Sequence, residues 1–143
     1  MIRKTSLIKC ICIAFCLLSV LSGCEDESQS EHQNDQIVKD YIRKIEGKSE
    51  PIPPKIASRG EVLIAYSGCY DCHRLDKRSK GPAFQDIAKR YPANPVYRDM
   101  LARKVISGGF GSWGNPVMSP HPNITMEDAQ NMVYFILSLE ENR

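Results

Sequence analysis

Two thiols and an imidazole stand together in Cys69-Tyr70-Asp71-Cys72-His73. Residues of these types at this spacing suit three kinds of chemistry. The cysteines can add to the two vinyl groups of a haem while the histidine binds its iron. They can cycle as a redox dithiol, or all three residues can serve as zinc ligands. A thioredoxin-type dithiol needs a strand–helix setting, and the hydrophobic pattern around this pentapeptide is helical. Zinc needs four ligands, yet the only other histidines are His32 and His121. Covalent attachment of haem uses every residue of the motif.

The remaining cysteines point to export. Arg3 and Lys4 precede a 12-residue apolar run, Cys10 to Leu21, that ends at Ser22-Gly23. This is the form of a secretory signal peptide, and the run falls short of the roughly 20 residues a membrane-crossing helix needs. Leu21-Ser22-Gly23-Cys24 resembles the lipobox of bacterial lipoproteins, which implies that Cys24 carries lipid and becomes the mature N-terminus. Cys10, Cys12 and Cys16 then leave with the leader, and only Cys69 and Cys72 remain in the folded part, so there is no disulfide framework. Two close thiols in an oxidising compartment need a fate, and thioether bonds to haem provide one. Three of the 19 basic residues, Arg3, Lys4 and Lys9, also leave, so 16 remain against 17 acidic ones. The near-neutral mature chain carries no compositional signal for nucleic acid.

Domain organisation follows from composition: a leader over 1–23, a polar, acidic and proline-bearing tether over 24–57, and a globular domain over 58–143. A flexible tether of that length would span on the order of 30 Å. Within it, Ile37, Tyr41 and Ile45 recur every four residues, as in a short amphipathic helix. In the domain, Ser58-Arg59-Gly60-Glu61 has capping-box spacing and predicts a first helix through Tyr66. Phe84, Ile87, Ala88 and Tyr91 mark a second helix, stopped by Pro92. Asn94 and Pro95 open a third, with Tyr97, Leu101 and Val105 as its inner stripe and Gly108-Gly109 at its end. Thr125 to Asp128 cap a fourth that buries Ala129, Met132, Val133, Ile136 and Leu139. No strand pattern appears, so the predicted class is all-α. Residues 110–123 are expected to form a long loop, which is usually functional. Four short helices make a small core unless an apolar group fills its centre.

Downstream of the pentapeptide lie Gly81-Pro82 and the loop Trp113-Gly114-Asn115-Pro116-Val117-Met118-Ser119-Pro120. From about Ser58 to Asn142 the chain resembles the short bacterial class I cytochromes c, which carry a Cys-x-x-Cys-His site, a Gly-Pro pair and a Trp-Gly-x-x-x-Met-x-Pro loop in this order. The resemblance implies four helices wrapped around one covalent haem c held by Cys69 and Cys72. It implies His73 and Met118 as axial iron ligands, and Pro82 as the carbonyl that orients His73. Trp113 and Lys104 would reach the haem propionates. The family commonly has proline and asparagine after the methionine, whereas this chain has Ser119, Pro120 and His121, so a His73/His121 pair is an alternative.

With both axial positions filled, the site would exchange electrons and not activate oxygen or peroxide. The expected protein is an electron carrier, not an enzyme, lipid-anchored on the periplasmic side of a bacterial membrane and serving redox partner proteins there. Two alternatives are a haem domain feeding a membrane-associated dehydrogenase, oxidase or peroxidase, and a gas sensor with an open sixth position. Arg74, Lys77, Arg78 and Lys80 form a basic run after the haem motif, suited to steering an acidic partner.

Overall fold

In a computed structural model that describes residues 41–140, helix alternates with irregular chain, and one short hairpin interrupts the pattern. The leader, Cys24, the acidic stretch, His32 and Ile37 lie outside the described residues.

Helix α1 spans Pro54–Tyr66 and begins four residues before the expected Ser58. Pro54 sits in the first turn, where its preset φ favours the helix and its missing N–H removes no bond. Pro53 is the N-cap, with no side-chain hydrogen bond. Ser58 and Glu61 are therefore interior residues, and the expected capping box does not form. Gly68 follows the helix in a left-handed conformation, φ 71°. That reversal leads into the 3-10 turn Cys69–Asp71.

Helices α2 (Phe84–Arg90), α3 (Pro95–Ser107) and α4 (Met126–Ser138) lie close to their expected positions. Their ends are encoded locally. Asn94 Oδ1 accepts the Tyr97 N–H at 3.3 Å, Thr125 Oγ1 accepts the Asp128 N–H at 3.1 Å, and Gly108 terminates α3 with φ 67°.

The core forms where α1 crosses α4, joined by α2 and α3. Ile64, Met132, Val133 and Leu137 are almost fully buried there, with Phe84, Ile87, Phe135 and Ile136 around them. Burial of each large side chain contributes about 1.5–3 kcal/mol. The crossing depends on Gly60: a Cβ there would lie 1.9 Å from the Asn131 carbonyl oxygen and 3.0 Å from Phe135 Cβ. Between α3 and α4, Arg98 donates to Tyr134 Oη at 2.7 Å and Gln130 donates to Asp99 at 2.8 Å.

Two features depart from the sequence reading. Residues 109–118 are not a plain loop: β1 (Gly109–Gly111) pairs antiparallel with β2 (Gly114–Met118). Strand propensity could not reveal it, because these strands are rich in glycine and proline. Positive φ at Gly109, Gly111 and Gly114 lets the hairpin close. The second departure is the chain before α1, which packs on the domain. The Ile45 N–H donates to the Arg90 carbonyl at 2.8 Å and the Glu50 N–H to that of Ala93 at 2.7 Å. Ser49 Oγ accepts the Ala93 N–H at 3.1 Å, and Ile52 enters the core.

Gly60→Ala tests the crossing. Alanine adds about 1 kcal/mol of helix propensity, but the atom it meets is backbone and cannot rotate away. The variant is expected to lose about 1–3 kcal/mol of stability, measured by denaturant unfolding of the haem-loaded protein. A raised midpoint would show that the helices part freely.

Candidate haem site

The turn Cys69–Asp71 bends the chain so that the Cys69 carbonyl accepts N–H bonds from both Cys72, at 3.3 Å, and His73, at 2.9 Å. Two free thiols and the imidazole are thus delivered by one turn, with Cys69 half-buried, Cys72 exposed and His73 buried. Burial raises the Cys69 thiol above its ordinary pKa. Cys72 is the more accessible of the pair.

The chain then returns across the ring. The Gly81 N–H donates to the Cys72 carbonyl at 2.8 Å, and His73 Nδ1 lies 2.8 Å from the Pro82 carbonyl oxygen. A carbonyl only accepts, so Nδ1 carries the proton and Nε2 keeps its lone pair free for a metal. Gly81 is required at this approach, because a Cβ would stand 2.6 Å from His73 Cε1. Phe84 stacks on the other side of the ring, centroids 5.1 Å apart and planes 15° off parallel. Tyr70 meets Phe84 edge-on. Burial is the main influence on His73 and pushes its pKa below the ordinary value, with His121 adding to the effect and the Pro82 bond opposing it. The folded state therefore favours the neutral imidazole, the form that ligates.

An open cleft of about 300 Å³ lies nearby, and His121 is the one expected residue in its lining. One wall is Ser67, two residues before Cys69, and the other is Pro120 to Ile124, which begins two residues after Met118. Met118 ends β2, half-buried and paired with Gly109. A Cβ on Gly108 would lie 2.4 Å from the Met118 carbonyl oxygen, so glycine admits the strand end against α3. His121 lines the same cleft, and its N–H donates to the Ile106 carbonyl at 3.0 Å. Lys104 extends over the start of the hairpin, with Nζ 2.5 Å from where a Gly109 Cβ would stand. Trp113 occupies the hairpin turn, partly buried. In the basic run, Arg74 donates to the Tyr70 carbonyl and Arg78 lies over the Tyr41 ring, so two of its four cations have partners within the chain.

These residues fit a haem. The imidazole is oriented with one nitrogen free, and the thiols share its turn. Among the described residues no three His, Cys, Asp or Glu side chains are grouped to hold a metal ion, and the one sheet is the hairpin, far along the chain from Cys69. Phe84, Tyr41 and Arg90 were missed as site residues. Phe84 read as core alone, though its place two residues after Pro82 was a signal.

A small helical domain that presents a buried histidine and two thiols from one turn is of the c-type haem-binding class. Comparison with known proteins gives the family. The Cytochrome c family model matches residues 57–140. Cytochrome c-551 of Allochromatium vinosum is 37% identical over 78 residues, 54% of this chain and 83% of the relative. Cytochrome c-552 of Hydrogenobacter thermophilus is 38% identical over 85 residues, 59% and 86% of the two chains. The crystal structure of Nitrosomonas europaea cytochrome c552 superposes with a TM-score of 0.52 at 33% identity, covering 55% of this chain and 98% of that one. The chain belongs to the cytochrome c family and is a bacterial class I c-type cytochrome. Its relatives are small electron-transfer proteins with one covalent haem c, not enzymes.

Gly81→Ala is expected to push the His73 ring out of line with Pro82 and cost about 1–3 kcal/mol. Unfolding of the haem-loaded variant measures it, and an unchanged midpoint would show that the ring has room to move.

Proposed function

We propose that this chain is a one-electron carrier whose haem iron is ligated by His73 and Met118, tethered through lipidated Cys24 to a bacterial membrane on its periplasmic side. The observation that carries the reading is the His73 Nδ1 contact with the Pro82 carbonyl over Gly81. It holds the imidazole in one tautomer and one orientation, as an axial ligand must be held. Met118 is supported by its place at the end of a strand, two residues before the cleft-lining Pro120 and off every described helix.

When bound, the haem supplies an iron that exchanges one electron between its ferric and ferrous states. Cys69 and Cys72 would hold it by thioether bonds. The chain's own contribution is rigidity: the ring of His73 is clamped by Pro82 and Phe84, and the strand end at Met118 is set against α3 through Gly108. A soft thioether and an apolar pocket favour the reduced state and raise the potential. Trp113 and Lys104 would serve the propionates, and redox proteins at the same membrane would be the partners. Among the described residues no helix is long and apolar enough to cross a membrane, so the tether reading rests on the lipobox-like Leu21-Ser22-Gly23-Cys24.

Carbon monoxide tests the distal ligand. The reduced native protein is expected to bind it slowly and incompletely, and Met118→Ala to bind it rapidly. Rapid, full binding by the native protein would remove Met118 as ligand and favour a gas sensor. Membrane attachment is tested separately: mass spectrometry of the protein purified from membranes is expected to show a chain that begins at an acylated Cys24, and an unacylated Cys24 would rule out a lipid anchor there.

A further inference from the structure

The hairpin that ends in Met118 has little of its own to hold it. A two-stranded hairpin is marginal in water, and this one leaves Phe110 76% and Val117 75% exposed. One end is fixed where Gly108 admits the Met118 backbone. The other end, the turn at Ser112-Trp113, is held by residues outside it.

Those residues form a layered corner. Tyr41 packs on Trp113 with ring centroids 5.2 Å apart, and Tyr91 meets Trp113 edge-on at 6.5 Å. The Arg90 guanidinium lies 4.5 Å from the Trp113 ring centroid and donates to the Ser112 carbonyl. Arg78 covers Tyr41 at 4.7 Å. Tyr41 Oη and Arg90 Nε are buried without a hydrogen-bond partner. Leaving polar atoms unpaired is costly, so ring stacking and guanidinium–ring contacts must hold the corner together. Tyr41 is brought there by the segment after it, in which Ile45, Ser49 and Glu50 bond the backbone of Arg90 and Ala93 and the Lys48 carbonyl accepts from the Asn94 side-chain amide. The family match begins at residue 57, so this segment lies outside the matched residues.

We propose that residues 41–52 are a strap that positions the hairpin, with Tyr41 as the positioning residue that fixes Trp113 and, through β2, the Met118 end. The second half rests on the reading of Met118 as a ligand. The first does not.

Trp113 is the only tryptophan, so its indole N–H gives one unambiguous NMR signal in the reduced, haem-loaded, full-length protein. Tyr41→Ala removes the ring contact and is expected to speed hydrogen exchange of that N–H by about 2- to 10-fold, the effect of one aromatic pair. Tyr41→Phe keeps the ring and is expected to change it by less than about 2-fold. Unaltered exchange in Tyr41→Ala would overturn the strap, whatever ligates the iron. Carbon monoxide association, gated by departure of Met118, is expected to speed up in parallel. Faster exchange with unchanged association would confine the strap to Trp113 and overturn its reach to Met118.

Discussion

A buried imidazole with one nitrogen bonded to a carbonyl and the other left free is the constraint around which this molecule is arranged. Removing His73 from water favours its neutral form, and the Pro82 carbonyl decides which nitrogen keeps the proton. Gly81 has to lack a side chain for the two segments to approach. Phe84 has to open α2 where its ring can face the imidazole. The turn that carries the thiols, the Gly-Pro return and the start of α2 are thus one unit, and a change in any of them reaches the histidine.

Two parts of the fold are built differently. The crossing of α1 and α4 holds the most deeply buried large side chains among the described residues. The hairpin is glycine-rich with exposed faces, fixed only at its ends. The hairpin ends at Met118, 45 residues along the chain from His73.

Residues 41–52 change how the domain joins whatever precedes it. Read from composition, they belong to a flexible tether. In the structure they run along residues 90–94 and end in the core at Ile52, so the domain edge begins before the family match does. The composition was misleading because backbone groups made most of the bonds, with single residues such as Ile45, Ser49 and Ile52 adding side chains at wide spacing.

The sequence by itself determined that two thiols and an imidazole stand together, since Cys69, Cys72 and His73 fall within five residues. It also determined three of the four helices with their ends, because Asn94, Pro95, Gly108 and Thr125 act on backbone groups within a few residues. The tertiary structure decided what depends on distant partners. It started α1 at Pro54, converted Gly60 from a capping-box filler into a helix-crossing point, and folded 109–118 into a hairpin whose glycines carry no strand signal. It also brought Tyr41 onto Trp113 across most of the described chain. Local hydrogen bonding leaves a pattern at fixed offsets, whereas a close approach between segments far apart in sequence leaves none.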